Sequence, residues 1–168
     1  MYRYQSPLPK TILGLSSNFT YAKVSLAFTA RAFLGNYNYN NVQSSRATYQ
    51  GVFPGQPFLN NTTTNIYDTQ FQGADKGRIQ LSDYYVQKAS FVRMDNISLG
   101  YDFGSLISQS TSLRLNLSLQ NAFVITGYKG VDPEIVSVDN LSRSATFGID
   151  NNFYPRPRTI TAGINIGF

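Results

Sequence analysis

The sequence predicts an all-β chain: an antiparallel up-and-down transmembrane β-barrel segment of about five strands. Three observations carry this. Apolar and polar residues alternate with a period of two in five separate stretches. The connections between those stretches run short, long, short, long. Aromatic residues gather where the apolar face meets the short connections, and aliphatic residues occupy its middle.

The first stretch is Lys10 to Tyr21, where Leu13, Leu15, Phe19 and Tyr21 oppose Gly14, Ser16, Asn18 and Thr20. A tight turn at Ala22-Lys23 leads into the second, with Val24, Leu26, Phe28, Ala30, Ala32 and Leu34 on one face. The third runs from about Ser90 to Phe103, setting Ile97, Leu99, Tyr101 and Phe103 against Asn96, Ser98, Gly100 and Asp102. If its alternation is unbroken, Arg93 shares the apolar phase, near the end that carries the long connections. The fourth places Leu113, Leu115, Leu117 and Leu119 opposite Ser112, Arg114, Asn116, Ser118 and Gln120. The fifth closes the chain with Ile160, Ala162, Ile164, Ile166 and Phe168 against Thr159, Thr161, Gly163, Asn165 and Gly167.

Such stretches, ten to thirteen residues long, rise about 25–30 Å when tilted, the apolar height of an outer membrane. Gly104 to Thr111 is a short connection, whereas residues 35–89 and 124–158 are long, polar and rich in aromatics, Gly and Pro. A β-sandwich shares the alternation, because it too buries one face of each strand. Loop asymmetry and the aromatic girdle (Tyr21, Tyr101, Phe103, Phe168) favour the barrel. Five strands cannot close in lipid without leaving backbone groups unpaired at an open edge. The chain is therefore expected to be the end of a longer polypeptide or one protomer of a shared barrel.

Composition excludes most chemistry. The chain has 168 residues, 14% of them charged, against about 25% in a typical soluble domain. With no Cys and no His there is no disulfide, thiol nucleophile, zinc centre or Ser-His-Asp triad. Glu134 is the only Glu, so a Glu-Glu glycosidase pair cannot exist. No catalytic residue, metal site or cofactor is expected. The net charge of +5 is dispersed without a Lys/Arg run, and no nucleic-acid partner is expected.

Four segments resemble one family. Ala89-Ser90-Phe91-Val92-Arg93-Met94-Asp95-Asn96-Ile97-Ser98-Leu99-Gly100-Tyr101 is similar to a strand of SusC-like TonB-dependent outer-membrane transporters. Leu119-Gln120-Asn121-Ala122-Phe123 resembles a strand end of that family, and Tyr128-Lys129-Gly130-Val131-Asp132-Pro133-Glu134 one of its loops. Tyr154-Pro155-Arg156-Pro157-Arg158-Thr159, followed by Gly163 to Phe168, resembles its C-terminus, where Phe168 stands at the position of the assembly signal. The match is specific over Ala89 to Phe168, looser over Pro7 to Gly35, and leaves 36–82 as a variable loop.

The resemblance implies that residues 1–168 are the C-terminal part of a barrel of about 22 strands. It further implies a multi-pass protein of the Gram-negative outer membrane that imports glycans or peptides. Its partners would be the rest of the barrel and its plug, a SusD-like surface lipoprotein, the TonB complex reached through an N-terminal part, and outer-membrane lipid. The alternative is a secreted all-β carbohydrate- or protein-binding module.

The candidate substrate-binding residues are Tyr37, Tyr39 and Arg31. If the second stretch continues past Gly35 without a break, both tyrosines point into the lumen mouth, where rings flanked by amides stack on sugars; ordinary loop packing is the alternative. Arg31 and Arg114 on the polar face either pair with carboxylates of a plug, as part of the scaffold, or attract an anionic substrate. Tyr49, Phe53, Phe58, Tyr67 and Phe71 either contact a lid or substrate or form the loop's own small core. Asp132-Pro133-Glu134 reads as a turn, since two carboxylates fall short of the oxygens calcium takes.

Overall fold

The alternating stretches are strands in the computed structural model, which describes residues 5–46, 63–64, 82–108, 111–138, 145–151 and 154–167. The chain divides into two compact units. The first comprises the described parts of Thr11–Leu34, Phe91–Thr126 and Arg156–Phe168; the second those of Met1–Lys10, Gly35–Ser90 and Gly127–Pro155.

The first unit is one antiparallel sheet. Its strands are β1 (Thr11–Tyr21), β2 (Val24–Leu34), β5 (Phe91–Ser108), β6 (Thr111–Thr126) and β10 (Thr159–Gly167), side by side in that order. Each strand lies beside the next one in the chain that belongs to this sheet, which makes it an up-and-down meander. The tight turn after β1 uses Ala22 in a left-handed conformation, φ 51.

Register decides which side chains share a face. One row runs Phe19, Leu26, Leu99, Leu117, Ala162 and the next Tyr21, Val24, Tyr101, Leu115, Ile164. Leu117 and Ile164 in these rows are 48% and 65% exposed, and Tyr21 is 85% exposed. A sandwich would have buried them, so this face is an open apolar band. The opposite face is polar and small: Asn18, Ala27, Ser98, Ser118, Thr161 in one row and Thr20, Ser25, Gly100, Asn116, Gly163 in its neighbour. No helix among the described residues is long and apolar enough to cross a membrane, which says nothing about strands.

Two strands are longer than the alternation indicates. β5 continues to Ser108 and β6 starts at Thr111, so the expected Gly104–Thr111 connection is mostly a continued ladder. Phe103 is the extra residue of a bulge between Asp102 and Gly104, and Gly104 takes φ 68 there. The Tyr101 and Phe103 rings meet edge to face, 4.6 Å apart. Phe168, expected at the same end of the sheet, lies outside the described residues.

The second unit holds the short strands β3 (Tyr37–Asn40), β4 (Val86–Lys88) and β9 (Ile149–Asp150), ordered β4-β3-β9. The hairpin of β7 (Val136–Val138) and β8 (Ala145–Phe147) also belongs to it. One turn of helix, α1 (Asn41–Arg46), follows β3 directly. Along the chain, the segments of this unit precede Thr11, join Leu34 to Phe91, and follow Thr126. Tyr49, Phe53, Phe58, Tyr67 and Phe71 lie outside the described residues.

Candidate functional site

The polar face of the large sheet is built by hydrogen bonds between short side chains. Asn96 Nδ2 donates to Ser98 Oγ at 3.0 Å, and Ser118 Oγ donates to Asn96 Oδ1 at 3.1 Å. Gly100 lies between Ser25 and Asn116 in the register. With no side chain there, Arg114 reaches across β5 and donates from Nη2 to Ser25 Oγ at 3.0 Å. A Cβ on Gly100 would stand 3.3 Å from that Nη2.

Nearer the long-loop end, the phase changes. Thr29 pairs with Asn96 but Ala30 pairs with Met94, so Asp95 is an extra residue on β5. The bulge turns Val92 and Met94 onto the apolar face and moves Phe91 and Arg93 onto the polar one. Arg93 is therefore not on the apolar face, as unbroken alternation placed it; it stands opposite Arg31 and is 2% exposed. The signal was present in the sequence: apolar residues change phase between Met94 and Ile97.

Two guanidinium groups directly opposite each other repel, and the neighbouring residues answer this. Arg31 Nε lies 3.1 Å from Asp95 Oδ2, the carboxylate the bulge projects. Arg93 Nη1 donates to Asn121 Oδ1 at 2.7 Å. The Arg93 guanidinium also lies over Phe91, 5.4 Å from the ring centroid, and that of Arg31 over Phe33 at 5.7 Å. Asn121 adopts φ 50, a left-handed conformation that Asn tolerates better than other side-chain-bearing residues. Its Nδ2 donates to the backbone carbonyl of Arg156 at 2.7 Å. Three of the four family-like segments thus meet at Asn121, a junction that sequence reasoning missed.

The fourth segment builds the second unit. In and just before β3, Asn36, Asn38 and Asn40 are buried while Tyr37 and Tyr39 are half-buried, the reverse of ordinary partitioning. Two of the amides have partners: Asn38 Nδ2 donates to the Pro133 carbonyl at 2.8 Å, and Asn40 Oδ1 accepts from the Gln43 backbone N–H at 2.9 Å. Asp132 Oδ1 accepts the Glu134 backbone N–H at 2.9 Å, so Asp132-Pro133-Glu134 is a turn. The described residues contain no acidic cluster able to hold a metal ion.

Tyr128 donates from its hydroxyl to Asp150 Oδ2 at 2.9 Å, and a side chain on Gly130 would strike both residues. Burial, then the nearby Asp150 charge and hydrogen bond, push the Tyr128 phenol above its ordinary value of 10.0. The folded state holds that proton more tightly than the unfolded chain, so its contribution is complete below pH 10.0 and is lost as pH rises beyond it. Tyr128→Phe is therefore expected to flatten part of the fall in melting temperature between about pH 10 and 12. Thermal unfolding of both proteins across that range checks it; parallel curves would contradict it.

The predicted site residues fall in both units. Tyr37 and Tyr39 are in the second, Arg31 in the first. The condition set for the tyrosines is not met: β2 ends at Leu34, Gly35 turns the chain with φ 82, and Tyr37 begins a separate sheet. Tyr39 pairs with Ile149 in register and meets the Tyr85 ring edge-on at 6.3 Å.

No protein-family model matches the chain. Among curated proteins it is 34% identical, over 99% of its length, to the TonB-dependent receptor SusC of Bacteroides thetaiotaomicron. It is 29% identical, over 96%, to the TonB-dependent receptor P3 of Formosa agariphila. The chain spans only 16% and 17% of those two proteins. Its fold is similar to that of the RagAB peptide transporter, with a TM-score of 0.67 and 20% identity over 98% of this chain and 18% of that one. A second RagAB structure, in the closed-closed state, gives 0.64 and 22% with the same coverage. An antiparallel all-β sheet and 34% identity over 99% of this chain lead to one assignment: the chain belongs to the SusC-like TonB-dependent receptors.

Proposed function

We propose that this chain forms pore wall and extracellular docking loops in an outer-membrane, TonB-dependent importer of glycans or peptides. It is the C-terminal part of a barrel of about 22 strands, with 35–89 and 124–158 as extracellular loops. The observation that carries the reading is the sheet with two unlike faces: an exposed aliphatic band on one side and a hydroxyl- and amide-rich surface on the other. Such a wall separates hydrocarbon from water only when further strands close it. The remaining strands and a plug complete the pore, a SusD-like lipoprotein caps the loops, and the TonB complex supplies energy. Tyr37 and Tyr39 are proposed to touch substrate at the loops, and Arg31 at the polar wall.

The test is nutritional. Deleting the gene of the whole receptor in its host is expected to abolish growth on one class of supplied oligomer, glycan or peptide. Re-expression restores that growth. Unimpaired growth and uptake on every glycan and peptide supplied would overturn the importer reading.

A further inference from the structure

Gly100 leaves a slot in the polar face of the large sheet. Ser25 and Asn116 flank it in the register, and Arg114 crosses it to donate from Nη2 to Ser25 Oγ at 3.0 Å. A Cβ on Gly100 would stand 2.5 Å from that Oγ, so the approach needs glycine. The slot is part of a cleft of about 410 Å3 whose lining belongs wholly to the first unit. Asn18, Ser25, Ser98, Asn116 and Ser118 contribute hydroxyls and amides to that lining.

Arg114 is the one charged residue of the lining, and it is exposed. Its hydrogen bond to Ser25 goes to a neutral oxygen, which positions the guanidinium without answering its charge. Asp102 stands opposite Arg114 in the register, yet its Oδ1 accepts the Gly104 backbone N–H at 2.8 Å. Among the described residues Arg114 makes no ion pair. A guanidinium carries five N–H donors in a fixed fork, the geometry that matches a carboxylate, and one bond to Ser25 leaves most of that fork available.

Position says what supplies the carboxylate. Thr20 and Ser25, both in the lining, pair just before the Ala22-Lys23 turn, so the cleft lies in the half of the sheet that ends there. The long connections leave from the other end of these strands. A substrate that enters past the loops reaches this part of the wall last. A barrel of about 22 strands has a plugged lumen. The chain spans only 16% of its SusC relative, which leaves the receptor ample length for a domain that fills the pore.

We propose that Arg114 is the wall's ionic anchor for the plug, pairing at the Gly100 slot with one Asp or Glu side chain that the plug presents. The inference rests on the importer reading and deepens it, by naming a contact that holds the lumen shut.

The experiment uses the whole receptor in its outer membrane. Arg114→Lys keeps the charge and supplies a primary amine, which a water-soluble carbodiimide joins to a carboxylate only on contact. Mass spectrometry of the digested receptor is expected to find this amine linked to an Asp or Glu of the plug. A link to Asp102, to another residue of the wall, or to nothing overturns the proposal. The second readout is exclusion of vancomycin, which an intact outer membrane keeps out. Arg114→Gln is expected to raise vancomycin entry roughly tenfold, through loss of one charge-assisted contact. Gly100→Ala keeps the charge but pushes Ser25 Oγ aside, so it should leak in the same direction, and Arg114→Lys much less. Receptor levels in the membrane are read by immunoblot. If Arg114→Gln fails to assemble, the cross-link, made in assembled receptor, decides. Unchanged exclusion by an assembled Arg114→Gln receptor overturns the anchor, and weaker nutrient uptake with exclusion intact overturns it in favour of an anionic substrate at Arg114. Failure of the importer reading is distinguishable, because gene deletion reads growth, whereas leak and cross-link require no nutrient to be carried.

Discussion

Leu117→Arg in the whole receptor is expected to destabilise the membrane-embedded barrel by about 2–4 kcal/mol, the cost of a guanidinium near the bilayer midplane. Leu117 sits mid-strand on β6, between Leu99 and Ala162 in the register, and its side chain is exposed on the apolar face. Nothing in the sheet would accept the new charge there, because the row is aliphatic from β2 to β10. Its chain neighbour Asn116 points the other way, into a row with Ser25 and Gly100. Asn116→Ser is therefore expected to be nearly silent. Urea unfolding of the receptor in lipid vesicles, followed by heat-modifiable electrophoretic mobility, compares the two. Equal tolerance of both substitutions would mean that the inside-out assignment is wrong.

Asn121→Ala should cost about 2.5–5 kcal/mol, from a backbone and a side-chain source. Ala in a left-handed conformation is strained by roughly 1–2 kcal/mol. Losing a charge-assisted hydrogen bond to a buried guanidinium costs roughly 1.5–3 kcal/mol more, because at 2% exposure water does not replace it. Asn121→Gly relieves the first term and keeps the second, so the gap between the two variants measures the backbone share. Both are read by the same unfolding experiment. Identical losses would show that the positive φ carries no strain, and two silent variants would show that the junction contributes nothing.

Much of the large sheet was legible because alternation is local. A residue's face follows from its neighbours two positions away, so Leu113 to Leu119 and Ile160 to Ile166 declare themselves without knowledge of any partner. The tight turn at Ala22-Lys23 and the up-and-down order were legible for the same reason. Arg93 was misplaced because one extra residue, Asp95, inverts everything before it, and a bulge is defined only against the strand opposite. Whether Tyr37 and Tyr39 continue β2 stays open in the sequence, because alternation does not reveal that Gly35 turns the chain into another sheet. The buried Asn38 looks like a solvent-facing loop residue until Pro133, 95 residues further along the chain, supplies its partner.

Sequence by itself determined the strands, their two faces and the family-like segments, since each depends on the order of adjacent residues. Only the tertiary structure decided that Arg93, Asn121 and the Arg156 backbone form one junction on the polar face. The physical reason is distance along the chain: hydrogen bonds that span 28 and 35 residues leave no periodic mark, and they exist only once the register between strands is set.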